Sequence, residues 1–252
     1  MRLFRALFTP ADPMRRLSEQ IGTVSLPFEI RPVATVDELL QVAGLRQAGY
    51  RSQRPADQEI DLLDWAAHAV VLGAYEKASG QLLGSMRVLL GSLGDGEISR
   101  YVNLPSDWKF QPCAEARLLC VARSAHQVGV KILLCKALYE LALLHDCGQL
   151  VIASRRALQG FYRLMYFDDI VPEGLMFTPP GTAHSHLVLG LRLDGIRERW
   201  RADPEMAAFY RVVFEQYHPD LVLPADPQTL NPLSALFKPA RSNMFSTSLG
   251  TG

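Results

Sequence analysis

Long uninterrupted apolar runs are missing from this 252-residue chain. No segment reaches the roughly 18 consecutive apolar residues of a membrane helix, so a soluble protein is expected. Net charge is missing as well. The 26 basic residues balance 26 acidic ones, so no global pull toward nucleic acid exists and only local patches matter. Cysteine is sparse: Cys113, Cys120, Cys135 and Cys147 have neither metal-ligand spacing nor the look of a disulfide framework. Cys120 and Cys135 lie in apolar runs and read as small core residues, and a reducing, cytoplasmic setting fits. Neither a metal nor a bound cofactor is indicated, and no internal repeat is visible. The first 16 residues lack the apolar stretch of a secretory signal, because Arg2 and Arg5 interrupt them and Pro10 and Pro13 follow. They read as a short amphipathic helix in weak contact with a membrane surface or partner, or as a frayed terminus.

What remains is ordinary globular composition, 48% apolar and 21% charged, enough for one large domain with extensions. The expected division is an N-terminal extension over 1–26, a domain over 27–195, and a C-terminal helical extension over 196–252. Within the last of these, Ile196 to Arg201 and Pro204 to Tyr217 read as helices, and Pro219 to Gly252, rich in Pro, Ser and Asn, as a partly disordered surface tail. Within the domain, Phe28 to Val33 alternates as a strand, and Thr35 caps a helix that places Arg46 and Tyr50 on one face. His68 to Tyr75 and Gln81 to Leu90 form a hairpin.

The stretch from Glu115 to Gly148 organises the rest. Leu118 to Val121 is a compact apolar strand, Arg123 to Val130 a polar loop holding Gly129, and Lys131 onward a helix with 3.6-residue apolar periodicity, stopped at Gly148. A loop feeding a helix N-terminus suits an anion such as phosphate, and ordinary packing is the plainer alternative. Leu150 to Ser154 then reads as a strand, Ala157 to Phe167 as a short aromatic helix, and His184 to Leu193 as a long strand. The fold class is α/β (α+β), a mixed twisted sheet flanked by helices.

Strand, phosphate-type loop, helix, strand and a helix bearing Phe161-Tyr162 followed by Phe167 resemble the core of the GNAT acyltransferases. Gln127 and Gly129 match that family's Gln/Arg-x-x-Gly-x-Gly/Ala loop. Lys131 stands where a second small residue is usual, and Tyr166 where glycine is usual. The ordered set Arg46, Tyr50, Asp61, Asp64, Arg87, then Glu115-Ala-Arg117, narrows the resemblance. It looks like the long-chain N-acyl amino acid synthases, relatives of the acyl-homoserine-lactone synthases. The resemblance covers Phe28 to Leu193. It implies transfer of a fatty acyl group from acyl carrier protein to an amino acid, with acyl-phosphopantetheine or acyl-CoA as co-substrate. The alternatives are a homoserine-lactone synthase using S-adenosylmethionine, an acyl-CoA-dependent N-acyltransferase, and a non-catalytic carrier-docking module.

Acyl transfer needs a base for the ammonium, donors for the oxyanion and an acid for the departing thiolate. Glu115 is the candidate base, unless it only pairs with Arg117 or Arg87. Tyr162 would protonate or orient the sulfur, unless it is a core aromatic. Backbone around Cys120, Val121 and Ala122 would meet the oxyanion and pantetheine. Asp61 and Asp64 would bind the acceptor ammonium or form a solvated turn. Arg46 and Arg87 would hold its carboxylate, with Arg87 favoured as a structural partner of the two aspartates. Tyr50 and Arg117 complete this acceptor set. His184 and His186 share one face of the last strand, lining a pocket or the surface. Arg123, Gln127, Val128, Gly129, Val130, Lys131, Arg155 and Arg156 would meet the phosphopantetheine and an acidic carrier, and Lys136 and Arg163 would extend that basic patch.

Overall fold

The computed structural model describes residues 22–50, 60–124, 126–172, 176–178 and 185–236. His184, the turn around Pro179, residues 1–21 and the end of the chain fall outside them. Strands are β1 (Gly22–Thr23), β2 (Phe28–Pro32), β3 (Ala69–Glu76), β4 (Leu82–Ser92), β5 (Pro112–Val121), β6 (Gln149–Arg155), β7 (Asp168–Asp169), β8 (Met176–Phe177), β9 (His186–Arg192) and β10 (Gln216–Tyr217). Helices are α1 (Val36–Tyr50), α2 (Ser106–Lys109), α3 (Gln127–Leu144), α4 (Arg156–Leu164), α5 (Ile196–Ala202) and α6 (Ala207–Tyr210), the last running into a π turn over Arg211–Glu215.

The main sheet has the order β2-β3-β4-β5-β6-β9-β7, with β8 also on β9. Its first strands form an antiparallel meander. β5 and β6 pair in parallel, joined by the α3 crossover, as a parallel pair requires. Pleating puts Met86, Val88, Ala114 and Ala116 in the core that α3 covers, and turns Arg87, Glu115 and Arg117 to the other face, which α1 covers. The hydroxyl of Thr35 accepts from the N–H of Glu38 at 3.2 Å and so caps α1, as its position in the sequence suggests.

Three expectations about the elements are corrected. First, α3 begins at Gln127, not Lys131, so Gln127 to Val130 are its first turn and not loop. It ends through Asp146, whose φ of 53° reverses the chain, two residues before Gly148. Second, residues 219–236 are not a surface tail, since Leu230 and Leu233 are buried, and the helices before them join the core. Trp200, Phe209 and Val212 belong to the main core, where Tyr139 of α3 meets Trp200 and Phe214 at ring distances of 5.8 and 5.1 Å. Leu233 is fully buried beside Leu39, Val42 and Val71. Third, Lys136 is not part of a basic surface. It is 1% exposed, and its ammonium donates to the carbonyls of Val212 at 2.9 Å and Gln216 at 2.6 Å and to Nδ1 of His218 at 2.9 Å. A mid-helix lysine thus satisfies backbone oxygens at the end of the π turn, where no helix continues to do so. Arg163 is likewise taken up by Asp168 and Asp169.

Candidate active site

β5 carries a bulge. Arg87 faces Arg117 and Ser85 faces Cys120, so Leu118 and Leu119 together oppose Met86 alone. Leu118 sits at φ 58°, a left-handed conformation that costs a branched side chain roughly 1–2 kcal/mol. The extra residue twists the strand and shifts its parity, so Cys120 joins Arg117 on the α1 face, within 3.2 Å of where a Cβ on Gly49 would stand. The parallel pairing of β5 with β6 stops at Ala116 and Ile152, although both strands run on. Their ends splay apart.

An apolar crevice fills the splay, walled by Leu118, Leu119, Ile152, Leu138, Leu158 and Cys135, with Tyr50, Arg117, Arg155, Tyr162 and His186 as its polar groups. Its free volume of about 20 Å³ is room for one water, so a ligand must part the side chains, with flexible Met86 on the wall. Ala122 donates its N–H to Leu83 of β4 at 2.8 Å. Because antiparallel partners bond at alternate residues, Cys120 also turns toward β4, and Val121 turns toward the gap. The expectation that Cys120 and Ala122 offer their N–H groups to a ligand there is therefore corrected.

Tyr162 is buried, edge-on to Phe161 and Phe167, and burial raises its phenol well above the usual range. Tyr50 is raised too by burial, under the Arg155 guanidinium at 4.8 Å. His186 is 4% exposed and packs on Phe177 at 5.9 Å, which corrects the surface alternative. Lys131 lies over Phe161 at 4.3 Å. Arg123 and Arg156 are exposed beside the start of α3 and α4. Tyr166 adopts φ 65° at the place where the family pattern has glycine; its hydroxyl donates to Asp203 at 2.6 Å, which offsets the strain. The usual backbone turn is kept without the usual residue.

On the α1 face, Arg46 grips Asp64 with two bonds of 2.7 and 2.9 Å. Arg87 reaches Asp61 at 2.6 Å and Asp64 at 3.3 Å and also pairs with Glu97, which pairs in turn with Arg117. Three cations thus meet three carboxylates in a buried chain. Burial alone would raise the Asp64 carboxyl, but Arg46 and Arg87 hold it below its usual value. Only Asp61 reaches out, with its side chain 46% exposed.

Glu115 stands beside this chain, 2% exposed. Both its oxygens accept from the N–H of Ile98, at 3.1 and 3.3 Å. Burial and the neighbouring Glu97 push it up to about 7, against the pull of Arg117 and Arg87. It lines a separate cavity of about 180 Å³ with His68, Leu89, Asp95, Gly96 and Cys113. Glu115 and Tyr162 thus line different cavities, and Arg117, two residues from Glu115 on β5, lines the one that holds Tyr162.

Glu97 was not legible as a site residue. It sits in a glycine-rich turn with no periodicity. The signal for it is a tally: three arginines destined for the sheet interior need three acids, and Asp61 and Asp64 supply only two.

No family model matches the chain, and no curated protein does. Among solved structures it is similar to FeeM, an N-acyl amino acid synthase from uncultured soil microbes, at 14% identity and a TM-score of 0.52, covering 68% of this chain and 93% of that one. It is also similar to BjaI, a CoA-dependent acyl-homoserine lactone synthase, at 16% identity and a TM-score of 0.54, covering 79% and 96%. With the splayed parallel pair, the bulge and the α3 crossover in place, the chain has the GNAT-type N-acyltransferase fold.

Proposed function

We propose that the protein is an N-acyltransferase that moves a long-chain fatty acyl group from acyl carrier protein to the amino group of an amino acid. The single observation that carries the reading is the gap between β5 and β6, an apolar slot edged by the unpaired end of β5 and overlooked by a buried phenol. A thioester laid along it adds its pantetheine amides to the open edge of β5, as a new strand would. Its phosphate meets the first turn of α3 around Val128 and Gly129, since Val130 already donates its N–H to the carbonyl of His126 at 2.9 Å and Gln127 to that of Ser124 at 3.3 Å, with Arg123 and Arg156 exposed for an acidic carrier. Carrier-bound substrate places the reaction in the cytoplasm.

The acceptor approaches from the α1 face, where Asp61 meets its ammonium and Arg117 its carboxylate. Glu115 takes one ammonium proton through a water, as a carboxylate titrating near the working pH does best. The amine attacks the thioester carbon, the N–H of Val121 steadies the oxyanion, and the C–S bond breaks as the Tyr162 phenol gives its proton to sulfur. The second proton on the attacking nitrogen passes through water to the Tyr162 phenolate, and the one held by Glu115 leaves to solvent, so that one proton is released per amide formed.

The test is direct. Purified protein with carrier loaded with a C12 to C16 acyl chain and pooled amino acids should give an N-acyl amino acid by mass spectrometry, with Tyr162→Phe about 10²-fold slower. Parallel arms with acyl-CoA, and with S-adenosylmethionine scored for methylthioadenosine, separate the other donor and acceptor classes. Absence of any acylated amine in every arm would remove the proposal.

A further inference from the structure

Glu97 ties Arg87 of β4 to Arg117 of β5. One of its oxygens takes Arg87 and the other Arg117. The N–H of the next residue, Ile98, holds both oxygens of Glu115. The residue before it, Gly96, has to be glycine, because an added Cβ would land inside the Glu115 carboxylate. Three consecutive residues of one turn therefore hold side chains from β4 and from two positions of β5.

We infer that Glu97 is a positioning residue for acyl transfer: it pins Arg117 to the crevice wall and keeps that cation away from Glu115. The inference rests on the acyltransferase reading. Arg117 and Glu115 lie two residues apart on the same face of β5, so each is a natural partner for the other. Were they to pair, Glu115 would be locked as a carboxylate neutralised by a guanidinium and would be a poor base. Glu97 wins Arg117 instead, and its own negative charge stands beside Glu115.

The groups facing Glu115 support this arrangement from each side. Arg117 and Cys113 share its strand, Arg87 approaches from β4, and Glu97 from the covering turn. The directly opposed residues, Leu89 of β4 and Val151 of β6, are apolar. The cavity gives the carboxyl contact with water, with His68 and Asp95 in its wall, so its proton can exchange without passing through the crevice.

The experiment is a titration of the Glu115 side-chain carboxyl by ¹³C NMR, assigned by the signal lost in Glu115→Gln. It is run on the full chain and on Glu97→Gln and Arg117→Met, beside the pH profiles of kcat and KM. Glu97→Gln should move the Glu115 midpoint down by about one pH unit or more, and Arg117→Met should move it up. The acid limb of kcat should follow the midpoint in each variant, and Glu97→Gln should lose about tenfold or more in kcat. Should Glu97→Gln fail to fold, Glu97→Asp keeps the charge but not the reach: the released Arg117 should pull the Glu115 midpoint down, by less than in Glu97→Gln, and the acceptor KM should rise. Identical midpoints across the variants that fold would overturn the inference even with an active parent enzyme. A parent inactive with every donor and acceptor, yet with midpoints that move as stated, would sink the acyltransferase reading and leave only the charge coupling.

Discussion

A carboxyl group buried beside a second carboxylate keeps its proton to higher pH when folded than when unfolded, and Glu115 is such a group. Its folded value of about 7 lies above the ordinary 4.5. Below the lower value both states are protonated and its contribution to stability is fully present. Between the two, the unfolded chain sheds the proton and the folded chain does not, so stability falls as pH rises. By pH 7 and above the loss is roughly 3 kcal/mol. The melting temperature is therefore expected to drop by several degrees from pH 5 to pH 8, and Glu115→Gln should flatten that slope. Thermal melts of both proteins across this range provide the check, and equal slopes would contradict the burial of an isolated proton at this site. Asp64, with its carboxyl held low by Arg46 and Arg87, acts with the opposite sign, and its contribution is lost at more acid pH.

At the scale of elements, α3 and β4 meet at a place with no room to spare. A Cβ on Gly84 would stand 2.6 Å from Cγ1 of Val130 and 3.2 Å from the carbonyl oxygen of Cys120. The absent side chain lets the first turn of α3 lie close to the sheet, directly above the bulge, which brings the helix start to the crevice. Gly84→Ala should cost about 1–3 kcal/mol of stability, read by urea unfolding. It should also raise KM for the thioester donor more than it changes kcat, because the phosphate end is displaced and the reacting centre is not. A fall in kcat alone would mean that the close contact serves something other than donor placement.

Across the whole molecule, the C-terminal segment closes the structure around the turn beside α1. The side-chain amide of Asn231 donates to the carbonyls of Asp64 and Ala66 at 2.9 and 2.8 Å, and Leu233 fills the core under α1. The segment from Leu230 onward thereby braces the turn that carries Asp61 and Asp64. A chain ending at Leu230 should be less stable by roughly 2–5 kcal/mol, from one buried leucine, Leu233, and the two hydrogen bonds of Asn231. Its KM for the acceptor should rise more than that for the donor. Calorimetry and steady-state kinetics on the shortened chain would show this, and an unchanged melting temperature would refute the bracing.

The sequence by itself determined the elements whose signal is local. Apolar runs on either side of the Glu76–Gly80 turn placed the β3–β4 hairpin, period-3.6 apolar spacing placed α3, Thr35 announced α1, and Phe161-Tyr162 with Gln127 and Gly129 pointed to the acyltransferase core. Tertiary structure alone decided which charges meet. Lys136 finds partners 76 to 82 positions away, and Asn231 reaches back 165 and 167. Glu97 becomes central only when β4 and β5 lie side by side. The bulge at Leu118 was equally silent, since nothing in a leucine marks a left-handed backbone until neighbouring strands impose it. Local periodicity follows from the geometry of one element, whereas burial of charge is settled by whatever the fold brings opposite.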